Sequence, residues 1–194
     1  MVVTALTLAV LAAAARYAPR ELPADRVLVR VLLGALTALT LVIVASALFR
    51  MHTYEQAYGF TRLRVLVSGC EAWLGSVLLL VLAAGVRLRG RWLPEAAVAT
   101  AVAALLGLAA ANPDAFIAGH NVTRYAETGE IDLPYLSGLS ADAVPALDRL
   151  PGRLRDCALT GIAAHLTDDD WRAGNLGRAE ARDVLRHRPP GDCR

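Results

Sequence analysis

The side chains able to do chemistry in this sequence fall in three places. Glu71 is the one ionisable group well inside an apolar run, about 9 Å of helical rise past Val65. An acid within a membrane helix is a functional candidate by default, as a carrier of a proton or an ion. The plainer account is that it reaches the interface or pairs with Arg64. The second place is "MHTYEQAYGFTRLRV", residues 51 to 65, which packs Tyr54, Glu55, Tyr58, Arg62 and Arg64 between two runs almost free of charge. Tyr54 and Tyr58 share a helical face, and half-wet tyrosine rings belong at a membrane interface, so an anchor competes with a binding loop. Glu55 precedes Arg62 by seven residues, two turns rather than one. The third place is "NPDAFIAGHNVTRY", which gathers Asn112, Asp114, His120, Asn121 and Arg124, with Asp132 and Asp142 following. Oxygen ligands of this kind suit a divalent cation, but Asn, Asp and Pro are also ordinary turn and capping residues.

The elements that must position these groups are helices in a membrane. Of 194 residues 56% are hydrophobic and the mean hydropathy is +0.43, outside the range of ordinary soluble domains. All 20 basic residues are arginine, the bias of a GC-rich bacterial genome. Residues 1–111 carry 10 arginines against 5 acids and residues 112–194 carry 10 against 13, so a basic membrane region precedes a mildly acidic tail. No basic cluster is interleaved with aromatics and the arginines flanking the apolar runs are explained by membrane orientation, so no nucleic-acid partner is expected. Cys70, Cys157 and Cys193 form no C-x-x-C pair, the four histidines are scattered, and no structural metal or cofactor is expected. No G-x-S-x-G, Walker or H-E-x-x-H pattern occurs.

Four apolar segments, 1–15, 31–49, 65–86 and 93–111, are the expected spans. A crossing takes about 20 residues, which the first does not reach. A signal peptide is its rival reading, but the charged n-region is missing. A helix starting in mid-span suggests the remnant of a longer chain. Arg16, Arg20, Arg26 and Arg30, with Arg87, Arg89 and Arg91, mark one side of the membrane; Arg50, Arg62, Arg64 and Arg124 mark the other. Seven against four puts the first set in the cytoplasm and the tail outside it. Small residues recur every four positions at Ser68, Ala72 and Ser76, and at Ala99, Ala103, Gly107 and Ala111, and read as helix-packing faces.

The tail reads as short helices. Pro113 ends the last span and biases Asn112 away from helical angles. Ser140 and Asp142 open a helix in which Pro145 is tolerated only in the first turn. After Pro151-Gly152, a face of Leu154, Cys157 or Ala158, Gly161 or Ile162 and His165 or Leu166 follows. Thr167 reads as an N-cap for Asp168 to Asp170, "WRAGNLGRAEARDVLRH" as a short or broken helix, and "RPPGDCR" as a frayed end.

Four blocks, "ALFRMHTYEQAYGFTRLRV", "NPDAFIAGHNVTRY", "DLPYLSGLSADAVPAL" and "DDWRAGNLGRAEARDVL", together resemble the bacterial multi-pass membrane proteins grouped as domains of unknown function 4153 and 4173, common in actinobacteria. The resemblance implies a longer parent with more upstream spans, of which this chain matches the C-terminal part. It marks Tyr54, Tyr58, Gly59, Thr61, Arg62 and Arg64, then Asn112, Pro113, Asp114, Asn121 and Arg124. It also marks Asp132, Tyr135, Leu136, Asp142 and Pro145, and finally Trp171, Arg172, Asn175 and Arg182. It implies no reaction.

The expectation is an all-α polytopic membrane protein with about four transmembrane helices (1–111) and a small helical tail (112–194) that packs back on residues 50–64. Its expected role is a non-enzymatic one in the cell envelope, among lipid, other membrane helices and envelope proteins. A transporter or channel component built around Glu71 is the alternative, and a membrane metalloenzyme using Asp114, His120 and Asp132 the third reading.

Overall fold

A computed structural model describes residues 1–17, 23–87, 91–167 and 175–193. The described residues are mostly helical, with no strand among them. They form α1 (Val2–Tyr17), α2 (Pro23–Tyr58), α3 (Arg62–Arg87), α4 (Leu93–Ala110), α5 (Pro113–Thr128), α6 (Leu133–Leu136), a 3-10 turn (Ala141–Ala143), α7 (Val144–Leu147), α8 (Gly152–Thr167) and α9 (Leu176–His187). Three of these, α2, α3 and α4, are long and apolar enough to cross a membrane. The apolar part of α1 is shorter, Val2–Ala14.

The chain divides into two compact units. The first contains residues 1–55 and 63–108. Its core joins α1, α2 and α3 through Leu11, Val44 and Leu78, with Leu8, Leu33, Leu41, Leu48 and Val81 around them. Two expectations need correction here. The segment 51–65 is not a loop: α2 runs on to Tyr58, because nothing in "MHTYEQAY" breaks a helix and Thr53 bonds back to the Phe49 carbonyl. Only 59–61 is turn, set by Gly59 at φ +80°, in the left-handed region where glycine alone escapes a Cβ penalty. Likewise 23–30 is the start of α2, with Pro23 as its first residue, where the missing N–H costs nothing.

The small-residue rows also do not pack as expected. On α3 the buried face is Glu71, Gly75 and Leu78, whereas Ala72 is exposed. Gly75 makes the close approach, since a Cβ there would lie 3.1 Å from a Val44 methyl. Helix α4 buries none of its residues in this chain, Ala99, Ala103 and Gly107 included.

The second unit contains residues 56–62 and 109–194. It is a water-type helical domain in miniature, with Ile117 and Ala118 of α5, Leu136, Val144, Leu147, Ala158, Leu159, Ile162 and Ala181 fully or almost fully buried. Asn112 takes φ 45°, in the left-handed region that asparagine tolerates better than most residues, and Pro113 opens α5. Pro145 falls in the first turn of α7. On α8 the face of Ala158, Ile162 and Leu166 is buried as the spacing predicts, while His165 is exposed.

Residues 188–193 are tied to α8 rather than frayed. Cys157 and Cys193 form a disulfide, and the Arg188 carbonyl accepts from Arg155 at 2.5 Å. Thr167's side chain, the three aspartates after it, and Trp171 and Arg172 lie outside the described residues.

Candidate functional site

The marked residues of the tail converge on the turn between α2 and α3, and they do so mainly by gripping its backbone. A helix ends with unpaired carbonyls and starts with unpaired N–H groups, so a three-residue turn concentrates both. Arg124 of α5 donates through Nη2 to the Ala57 carbonyl at 2.7 Å, a cation at the negative end of α2. The same nitrogen reaches Glu130 Oε2 at 2.9 Å. Asn121, one turn earlier, clamps Phe60 from both sides: its Oδ1 accepts from the Phe60 N–H at 3.3 Å and its Nδ2 donates to the Phe60 carbonyl at 3.0 Å. Gly59 makes room for this, because a Cβ there would sit 2.3 Å from Asn121 Oδ1.

Arg62, the first residue of α3, completes the junction. Its backbone N–H donates to the Tyr135 hydroxyl at 2.6 Å, and its guanidinium binds Asp114 through both Nε, at 2.6 Å from Oδ1, and Nη2 on Oδ2. Asp114 also accepts from the Ser140 N–H at 2.8 Å. Burial pushes the Asp114 carboxyl up, but these hydrogen bonds and the Arg62 charge outweigh it and hold the group below its ordinary range. Asp132 caps α6 by accepting from the Tyr135 N–H at 3.1 Å, which fixes the tyrosine that Arg62 uses. Asp142 accepts from the Ser140 hydroxyl at 3.2 Å. It also faces Gly177, where a Cβ would come within 1.7 Å of its Oδ1. Asn112 and Asp142 stand on the wall of a shallow groove shared with Arg149 and Glu180.

Aromatic packing seals the same turn. Phe60 meets Phe116 edge to face at 5.3 Å, and His120 tilts over both rings at 4.9 and 4.1 Å. His120 Nδ1 lies 3.0 Å from the Phe116 carbonyl. Asp114, His120 and Asp132 are thus each engaged separately, and no three His, Cys, Asp or Glu side chains are grouped for a metal among the described residues.

In the first unit Arg64 does not pair with Glu71; it lies over the Tyr54 ring at 4.8 Å. Glu71 instead accepts from Thr4 Oγ1 at 2.7 Å, and its Oε2 lies 2.5 Å from the Met1 amino group. Glu55 is buried near the end of α2, its Oε1 without a hydrogen-bond partner among the described residues. Tyr58 is exposed.

Sequence reasoning missed Arg155. It is 2% exposed and bonds Asp148 at 2.7 Å, Asp156 at 3.0 Å and the Arg188 carbonyl. An arginine on an amphipathic helix reads as solvated; the signal was the pair of acids at Asp148 and Asp156.

These elements define a class: an all-helical membrane protein with a compact, polar-locked second unit that includes residues 56–62. The chain belongs to the family described as "Domain of unknown function (DUF4153)", whose model matches residues 1–150. Three of the four sequence blocks fall inside that match, and "DDWRAGNLGRAEARDVL" follows it. No curated protein and no solved structure matches the chain.

Proposed function

We propose that this chain is a non-enzymatic protein of a bacterial cell membrane, and that its tail is a rigid helical module outside the cytoplasm that serves assembly or signalling in the envelope. The observation that carries this is how the marked polar residues are spent. Asp114, Asn121, Arg124 and Asp132, the groups best suited to chemistry, hold residues 57–62 and the tail in one shape. The Cys157–Cys193 disulfide supports the location, since such bonds persist in oxidising compartments. The arginine count points the same way.

The test is labelling of intact cells with a membrane-impermeant thiol reagent, before and after mild reduction. Cys157 and Cys193 are expected to label only after reduction, while Cys70, half-buried on α3, stays unlabelled. Labelling of the tail cysteines only after lysis would overturn the placement. Loss of a turnover on substituting Asp114, with protein levels unchanged, would overturn the non-enzymatic part.

A second reading, a component of a transporter or channel, is favoured by the buried polar row around Glu71. Ion-coupled flux in vesicles that disappears with Glu71→Ala would support it.

A further inference from the structure

The polar row in the first unit takes no part in the tail's network. Glu71 is 5% exposed, and Thr4, Thr7, Thr37 and Thr40 are buried with it. A charged carboxylate inside a membrane costs about 3 kcal/mol by insertion scales, whereas its protonated form avoids most of that. Thr4, on α1, donates to Glu71 Oε1 at 2.7 Å. Thr7, one turn further along the same face of α1, lies 3.1 Å from Thr40 of α2.

These two hydroxyls are also within reach of their own helices' carbonyls, Val3 for Thr7 and Leu36 for Thr40, both at 2.9 Å. Two hydroxyl protons therefore face three bonds: one to each carbonyl and one between the hydroxyls. Some bond is unmade in every arrangement, and a hydroxyl rotation converts one arrangement into another.

The ligand class follows from the same donors. A metal ion bound among membrane helices draws on carbonyls freed where a helix unwinds. Here α1, α2 and α3 are unbroken, and the hydroxyls of Thr7, Thr37 and Thr40 all lie against carbonyls of their own helices. That leaves one carboxylate and one hydroxyl, enough for a proton. We infer that Glu71 is a proton-binding site inside the helix bundle, with Thr4 as its hydrogen-bond partner and the Thr7–Thr40 hydroxyl pair as the next step of the path. The proton comes from water and returns to it, and only O–H bonds change.

The groups facing Glu71 are Thr4 of α1 and the Met1 amino group just before that helix. Helix α2 has no charged residue between Arg30 and Arg50, and α3 has only Cys70 and Glu71 as titratable groups between Arg64 and Arg87.

The experiment uses the full chain in lipid vesicles with dicyclohexylcarbodiimide, which modifies protonated carboxyls in apolar surroundings, read by mass spectrometry over a pH series. An adduct on Glu71 is expected, falling about tenfold per pH unit above its midpoint. Thr4→Val, which removes a donor to the carboxylate, moves that midpoint up by about one unit, while Thr4→Ser leaves it in place. Thr4→Ala, a smaller change that removes the same donor, moves the midpoint in the same direction, so the result stands even where Thr4→Val fails to fold. No adduct at any pH, or an adduct whose yield is flat with pH, overturns the inference. So does a midpoint unmoved by either change. The inference is independent of the tail's role, which the thiol labelling tests separately.

Discussion

Replacing Asp114 by alanine removes the acceptor shared by two elements, and its cost can be worked from the geometry. The Arg62 side chain is 47% exposed and recovers water when the carboxylate goes, so its share is small, well under that of a buried pair. The Ser140 N–H is part-buried and is left without its acceptor, which costs about 1–3 kcal/mol. A total near 2 kcal/mol corresponds to an opening equilibrium about 30-fold larger, at tenfold per 1.4 kcal/mol. The assay is amide hydrogen exchange on the full chain in detergent, read at Ser140, Phe60 and Arg62. Asp114→Asn keeps an oxygen for the Ser140 amide and loses the charge, so about a fivefold change is expected, near 1 kcal/mol. Arg62→Ala leaves the buried carboxylate with one donor and should loosen both Ser140 and the turn. If Asp114→Ala left exchange at all three amides within about twofold of wild type, the claim that Asp114 fastens the turn to the tail would fail, since 2 kcal/mol cannot hide in that margin.

Three more outcomes follow from the same contacts. The Asp114 carboxyl is held below its ordinary range, so its contribution is fully present above the unfolded value of about 3.9 and is lost as pH falls through the lower folded value; exchange protection at Ser140 should hold down to about pH 4 and drop below it, and Asp114→Asn should abolish that acid limb. Gly59→Ala forces a Cβ onto Asn121 Oδ1 at φ +80°, with a cost of about 2–4 kcal/mol in thermal unfolding, and an Asn121→Ala background should recover part of it; an unshifted melting temperature would refute the clamp. Cutting the disulfide with Cys157→Ser, which frees a closure spanning 36 residues, should cost about 4 kcal/mol by loop entropy and raise proteolysis of the segment after His187, read by limited digestion.

The helices were legible because an apolar run long enough to span a bilayer has few other uses. Their ends were less so. "MHTYEQAY" is polar yet free of Gly and Pro, and composition changes there while the backbone does not. The site residues were legible as types and in clusters, but not in their roles. Arg62 meets Asp114 across 52 residues of sequence, Asn121 meets Phe60 across 61, Arg124 meets Ala57 across 67 and Tyr135 meets Arg62 across 73. Local spacing carries no information at those distances. It offered Arg64 for Glu71, which the fold gives to Thr4. The cysteine pairing was open for the same reason.

The partners of these residues favour a structural reading of the tail over a catalytic one. A general base works best when its pKa lies near the operating pH and a lone pair faces the substrate. Asp114 has neither property: its carboxyl is held low, and both oxygens accept donors from Arg62 and Ser140. Asn121 and Arg124 spend their donors on the carbonyls of Phe60 and Ala57, which any side chains at those positions would present. A network aimed at backbone therefore specifies the shape of the turn, while side-chain identity enters directly at Gly59, at the Phe60 ring and at Arg62. The same contacts fix residues 57–62 against α5 and α6 as one piece, so a change in any one of them is expected to loosen the others.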